Sequence, residues 1–273
     1  MEITLGIFVV VAAIAFTAEY ADASIGMGYG TSLTPVLMLL GFSPIDVIPS
    51  VLLGQVAGGT VGGYFHHRVG NVRLDFRPDK RFVNNGSRFL RYIPRSLDSK
   101  VVMVLIASGT LGAILGVFLA INVPPVILTA YIGAMVIGMG ALILVRRNHN
   151  GAFSFKKLIG VGVVAAFNKG MTGGGYGPLV TGGQILSGRK ARNSVGSTTL
   201  AEVAVVMIAF TTYLVLRGGL PWPLVAAVAV GSVLAGPFAA LTVKKLGSRR
   251  LTLVVGLALT LLGGWILAEA FLL

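Results

Sequence analysis

The chain has no cysteine, three histidines, two tryptophans and only nine acidic residues. Without cysteine there is no disulfide, no thiolate nucleophile and no Cys-ligated metal, and the redox compartment leaves no trace. The histidines, His66, His67 and His149, fall in basic loops. No Gly-x-Ser-x-Gly elbow is present, and no Gly-x4-Gly-Lys-Ser/Thr phosphate loop for ATP. These absences exclude the usual hydrolase constellations and ATP-driven pumping by this chain alone. No catalytic residue, metal or cofactor is expected. Charge of either sign is also scarce, at 11% of residues where a soluble domain has about a quarter. What fills the space is apolar: 55% of residues are hydrophobic and mean hydropathy is +0.87. Such a chain is a polytopic membrane protein.

Apolar runs of membrane-crossing length, roughly 20 residues, occur at Val47–Tyr64, Val101–Ile121, Pro124–Val145, Ser194–Leu216, Pro221–Val243 and Leu251–Leu273. Two further stretches, Ile3–Leu40 and Leu158–Leu186, are too long for one helix and are interrupted by glycines, so each reads as a helix, a break and a second helix. The two interruptions are copies of each other. Gly26-Met27-Gly28-Tyr29-Gly30 returns 147 positions later as Gly173-Gly174-Gly175-Tyr176-Gly177, and the same offset pairs Thr34 with Thr181, Ser50 with Ser197 and Val56 with Val203. An internal duplication with a glycine-broken apolar segment in each copy is the pattern of a secondary transporter, with its site where the breaks meet.

The placement of charge sets the topology. Net charge is +13, which in a soluble protein would suggest nucleic acid; here no nucleic-acid partner is expected. Of 22 Lys and Arg, nine lie in 65–100, four in 146–157, three in 189–192 and four in 244–250. Assigning those loops to the cytoplasm obeys the positive-inside rule and puts both termini outside. The N-terminus, Met1-Glu2, lacks a basic n-region, and no cleaved signal peptide is expected. The loop Gly41–Asp46 then lies outside and its counterpart Gly188–Arg192 inside, so the halves are inverted. The expected fold is all-α: a first repeat over 1–145 with the basic cytoplasmic loop 65–100, and a second, inverted repeat over 146–273, together one transmembrane domain. Each repeat holds a broken helical hairpin plus three transmembrane helices. The arm Leu158–Asn168, at about 1.5 Å per residue, reaches only part of a roughly 30 Å core and suggests a re-entrant hairpin.

Non-helical backbone at membrane depth is tolerated only where protein buries it or water reaches it. After each break a helix begins, at Gly30-Thr31-Ser32 and at Gly177-Pro178, with unpaired N–H groups and a positive dipole end. Two such ends facing each other make an anion cradle; the alternative is that the glycines only allow close packing, as in Gly54-x3-Gly58-x3-Gly62 and Gly112-x3-Gly116. Substrate-binding candidates are Gly28, Tyr29, Gly30, Thr31, Ser50, Asn168, Lys169, Gly173, Gly174, Gly175, Tyr176, Gly177, Ser197 and Thr198. Lys169 either faces an anionic substrate or pairs structurally with Asp22 or Glu202. Glu202, Asp22 and Glu19 are candidates for proton or ion coupling, because intramembrane carboxyls are costly and usually functional; Glu202 can equally be a hydrogen-bonded packing residue.

The pattern Gly26-x-Gly28-x-Gly30, Pro35 and Gly41-Phe42-Ser43-Pro44, followed in the second half by Asn168-Lys169-Gly170-x-x-Gly173-Gly174-Gly175-x-Gly177 and Gly188-x4-Asn193-Ser194, resembles the TauE/SafE sulfite exporter family. The resemblance implies a bacterial inner-membrane carrier that exports sulfite, sulfoacetate or related organosulfonates. Two features depart from the family pattern: Met27 stands where a further glycine is common, and the loop 65–100 is long and basic. That loop is expected to lie on anionic lipid headgroups, each basic residue near the surface contributing on the order of 1 kcal/mol.

With the interior negative, outward movement of one negative charge is favoured by about 2.3 kcal/mol per 100 mV, so anion export needs no coupling ion. An anion-selective channel and a carrier of other small organic anions, such as carboxylates, are the competing readings. A homodimer is left open by the sequence.

Overall fold

The computed structural model describes residues 3–78, 92–120, 125–146, 153–172, 175–217 and 219–272. Among the described residues ten helices follow one another: α1 Leu5–Ile25, α2 Tyr29–Leu39, α3 Pro44–Arg68, α4 Leu97–Ala120, α5 Pro125–Arg146, α6 Phe155–Thr172, α7 Tyr176–Leu186, α8 Ala191–Arg217, α9 Trp222–Lys245 and α10 Ser248–Leu272. Among the described residues, four of them carry spans long and apolar enough to cross a membrane: Leu5–Ile25, Ala191–Thr211, Trp222–Lys245 and Arg249–Ala268.

Burial is reversed relative to a soluble protein. The perimeter displays Val145, Val215, Trp222, Leu261 and Trp265, whereas the interior holds Glu19, Asp22, Gln55, Asn168, Lys169 and Glu202. Lipid accepts the first set; only protein contacts make the second set tolerable.

Local chemistry explains where α1 and α3 start and where α1 stops. Thr4 caps α1 by accepting the Ile7 N–H, and α1 ends where Gly26 turns left-handed at φ 86° and donates its N–H to the Asp22 carbonyl. Ser43 precedes α3, whose first residue, Pro44, has no N–H to leave unsatisfied.

α1 packs on α9 and α4 on α6, α5 packs on α10, and α3 crosses both α8 and α9. Four of these seams, α1–α9, α4–α6, α5–α10 and α3–α9, use the same device, a glycine set against the neighbouring backbone. A Cβ at Gly112 of α4 would lie 3.0 Å from the Phe167 nitrogen of α6, and one at Gly231 of α9 would lie 2.9 Å from the Phe16 nitrogen of α1.

Several expectations need correction. The basic loop is shorter than 65–100, because α3 continues to Arg68 and α4 starts at Leu97; His66 and His67 therefore sit in the last turn of α3, not in a loop. Among the described residues the fold is all-α apart from one short pair of strands between α3 and α4. β1, Phe76–Pro78, pairs antiparallel with β2, Tyr92–Pro94, and the Arg95 N–H donates to the Asp75 carbonyl beside them. A strand of three residues that includes a proline leaves no readable period. Finally, the expected short arm Leu158–Asn168 is part of an 18-residue helix, α6, about 27 Å long. The short elements are instead α2 and α7, 11 residues each, roughly 16 Å, or about half of a hydrocarbon core.

Candidate functional site

The two glycine stretches touch. Gly26 and Gly28 have φ of 86° and 114° between α1 and α2, and Gly175 has φ of 79° before α7, values that an L side chain rarely adopts. Gly177, in the first turn of α7, lies directly on the first stretch: a Cβ there would come within 2.6 Å of the Gly26 carbonyl oxygen and 3.2 Å of the Met27 Cα. The Thr181 hydroxyl, one turn further along α7, reaches the same Gly26 oxygen at 3.2 Å. Gly30 lies within α2, as does Thr31, whose side chain is outside the described residues; so are Gly173 and Gly174.

The two helix starts differ. The first amide of α2, that of Tyr29, donates to Asp22 Oδ1 at 3.3 Å. Gly175 gives α7 no side-chain cap, and Tyr176 and Gly177 after it are buried. The tyrosines differ as well. The Tyr29 hydroxyl lies 2.6 Å from Ser232 Oγ of α9, whereas the Tyr176 hydroxyl is buried with no hydrogen-bond partner among the described residues.

Beside the breaks is a buried charged centre. Lys169 Nζ of α6 donates to Gln55 Oε1 of α3 at 3.0 Å and lies 3.3 Å from Glu202 Oε1 of α8. Gln55 Nε2 donates to that same Glu202 oxygen at 3.0 Å, so the three side chains close a ring. Gln55 and Glu202 are the residues the 147-residue offset equates, and they meet where α3 crosses α8. Asn168 is buried next to Lys169. Glu19 and Asp22, one turn apart on α1, are buried too.

A second polar cluster lies at the end of the molecule where the loops before α4 and before α8 come together. Arg189 forms a short ion pair with Asp98 of α4, and donates to Gln184 Oε1 at 2.7 Å and to Ser197 Oγ at 3.1 Å. Burial pulls the Arg189 guanidinium below its usual value, and Asp98 opposes that shift. Gln184 Nε2 donates to the Thr198 hydroxyl at 2.8 Å, and Thr198 lies 3.0 Å from Thr181. A file of hydrogen bonds therefore runs from the Gly26 carbonyl through Thr181, Thr198 and Gln184 to Arg189. Ser197 and Thr198 belong to this file and not to the ring around Lys169. Ser50, their counterpart in α3, is buried and donates to the Asp46 carbonyl of its own helix at 2.7 Å.

Sequence reasoning missed Arg189, Asp98 and Gln184, since Arg and Asp in basic loops look solvated. It also missed His66. Buried His66 has Nε2 2.8 Å from the Ala23 carbonyl, while Asn71 Nδ2 donates to His66 Nδ1 at 3.0 Å and to the Ala240 carbonyl at 2.8 Å. With Nδ1 accepting, the ring is the neutral Nε2–H tautomer, and it ties α1, α3 and α9 together. The weak signal available was the histidine pair ending an apolar run.

Residues 81–266 match the family described as sulfite exporter TauE/SafE. The chain belongs to the TauE/SafE family. It is also similar to the probable membrane transporter protein YtnM of Bacillus subtilis (strain 168), with 27% identity over 278 residues, covering 94% of this chain and 84% of that protein. With its apolar helices, this makes the chain a multi-pass membrane protein of a transporter family. The family match includes Lys169 and Glu202 of the ring, though not Gln55, and the whole of the Arg189 cluster.

Proposed function

We propose that this protein is a secondary transporter, not an enzyme, that moves small sulfur-containing anions, sulfite or organosulfonates, out of the cell through a site between two inverted repeats. The observation that carries this reading is the contact of Gly177 with Gly26 and Met27, beside the buried Lys169. Two chain breaks that meet at depth next to an ammonium group have the components of a transporter anion site. The uncapped start of α7 adds a positive helix end. The same reading assigns substrate contacts to Gly28, Tyr29, Gly30, Thr31, Asn168, Lys169 and the segment Gly173–Gly177.

The repeat is supported by the packing. If α1 to α5 are equated in order with α6 to α10, the α1–α9 seam becomes the α6–α4 seam, and the α5–α10 and α3–α8 contacts map onto themselves. Under the same equation Arg189 corresponds to Phe42. Phe42 lines a cavity of about 500 Å³ with Ile3, Asp46, Pro221 and Leu224, at the end opposite the Arg189–Asp98 pair. With the basic loops taken as cytoplasmic, this reading puts an ion pair at the cytoplasmic face and the cavity at the outer face, as in one state of an alternating-access carrier.

The Lys169–Glu202 pair sets a condition on binding: an anion that takes the ammonium group must displace Glu202 or share Lys169 with it. The first test is thermal-shift binding on purified protein in detergent with sulfite, sulfate, thiosulfate, sulfoacetate, taurine and simple carboxylates. Stabilisation by a sulfur oxyanion or sulfonate that grows with concentration is the expected result. Stabilisation by carboxylates alone would move the substrate class to organic acids, and no shift with any anion would remove the support for this site.

A further inference from the structure

Three carboxyls and one ammonium group share the buried centre: Glu19 and Asp22 from α1, Glu202 from α8 and Lys169 from α6. Fully ionised, the group would carry two uncompensated negative charges inside a membrane protein, which low polarity strongly disfavours. The structure ranks the three carboxyls. Glu202 is paired with Lys169 and accepts from Gln55. Asp22 accepts the Tyr29 amide. Glu19 is 1% exposed, and neither of its oxygens has a hydrogen-bond partner among the described residues. Its carboxyl fits against Gly58 of α3, where a Cβ would fall 2.8 Å from the Glu19 carboxyl carbon, and Ser232 of α9 contacts the same glycine.

We propose, building on the transporter reading above, that Glu19 is a proton-binding site of this protein and that the anion binds the form in which Glu19 holds its proton. Glu19 is the acid that gains least from staying ionised, so it holds the proton. An anion entering beside Lys169 adds negative charge to the centre and keeps the proton on the carboxyl; once the anion has left, the proton is free to leave from the same O–H bond to water. The titratable groups facing Glu19 are Asp22 on its own helix, Tyr29 of α2, Lys169 of α6 and Glu202 of α8. Tyr29 is engaged with Ser232, and Lys169 and Glu202 neutralise each other in the anion-free state. Linkage is reciprocal, so one shared proton makes anion affinity fall by about tenfold per pH unit once the carboxyl has ionised.

The test has two arms on the full-length protein. Infrared spectroscopy of the anion-free protein at neutral pH reads the C=O stretch of a buried protonated carboxylic acid. Wild type should show this band, and it should be lost in Glu19→Gln and shifted but kept in Glu19→Asp. The proposal is overturned if wild type lacks the band or if the band survives unchanged in Glu19→Gln. The second arm measures sulfoacetate affinity from neutral to alkaline pH, where the ligand's own groups remain ionised. Wild type should weaken as pH rises, and Glu19→Gln should bind with one affinity throughout; a flat wild-type profile refutes the shared proton. If sulfoacetate binds neither protein, it is the assigned substrate class that fails, and the infrared arm alone decides Glu19.

Discussion

Replacing Lys169 by Met should cost far more than replacing Lys169 and Glu202 together. The ammonium group is 2% and the carboxyl 6% exposed. Removing either partner strands the other in a site with almost no water. Breaking a buried pair in this way typically costs about 3–5 kcal/mol, whereas exchanging both members for neutral residues of similar volume is often close to neutral. Lys169→Met leaves the Gln55 amide as the described donor to Glu202, too little for a buried carboxylate, so part of the penalty is relieved by proton uptake. Glu202→Gln leaves Lys169 with the Gln55 carbonyl. In thermal unfolding, with a chain of this size losing roughly 2–4 °C per kcal/mol, each single variant should melt roughly 6–20 °C below wild type. The Lys169→Met/Glu202→Gln double variant should recover most of that loss, giving a coupling of at least about 5 kcal/mol in a double-mutant cycle. Single variants that melt with wild type, or a double variant whose loss equals the sum of the two, would refute the buried pair. The same proteins test the site: Glu202→Gln frees the ammonium group from its competitor and should bind sulfonate more tightly than wild type, while Lys169→Met should not bind it.

Three further outcomes follow from the geometry. Asp98→Ala leaves Arg189 buried without its counter-ion and should lower stability by about 3–5 kcal/mol, with Arg189→Met/Asp98→Leu restoring most of it; thermal unfolding reads both, and a small effect of the single change would show the pair to be dispensable. Gly177→Val drives a side chain into the Gly26 carbonyl and Met27, an overpacking of about 1–3 kcal/mol, and should abolish sulfonate uptake into proteoliposomes even in the fraction that folds; normal uptake would detach the contact between the breaks from transport. Tyr29→Phe removes one buried hydrogen bond to Ser232, worth about 1 kcal/mol, and should leave the infrared band of Glu19 in place, whereas loss of that band would mean that the carboxyl keeps its proton only with the tyrosine hydroxyl present.

How much of this was legible in the sequence depends on which physical signal each feature leaves. The long helices are written in apolar runs bounded by basic loops, and the ends of α1 and α7 in glycines whose positive φ no other residue replaces cheaply. Lys169, Glu202, Asp22 and Glu19 stood out because a charge inside an apolar run needs a reason. Which of them pair was not legible. The fixed offset equates Asp22 with Lys169 and Gln55 with Glu202, but spatial contact joins Gln55 to Glu202 and brings Lys169 to both. Such contacts depend on how α3, α6 and α8 cross, information that no single segment contains. The second cluster was hidden for the opposite reason. Arg189 and Asp98 occur amid Lys and Arg that do face solvent, and nothing local separates a buried arginine from its neighbours; only docking of the α7–α8 loop on the start of α4 does so.

The differences between the halves carry as much functional information as the likeness. At the fixed offset Glu19 corresponds to Ala166 and Phe42 to Arg189. Tyr29 finds a hydroxyl partner in Ser232, whereas the Tyr176 hydroxyl finds none among the described residues. A pair of identical inverted halves would present the same chemistry to both faces of the membrane and would have no built-in distinction between loading and release. Here the acid without a hydrogen-bond partner among the described residues comes from α1, and the ion pair at the second cluster joins the α7–α8 loop to α4. Proton binding at Glu19 and rupture of Arg189–Asp98 are thus separable events, and separability is what the two sets of variants measure. Under the proposed cycle Glu19→Gln changes how anion affinity depends on pH without altering melting of the Asp98 end, and Asp98→Ala weakens that end while leaving the pH dependence of binding intact. If either substitution produced both effects, the centre and the seal would have to be treated as one coupled unit, and the assignment of the proton to Glu19 alone would no longer follow.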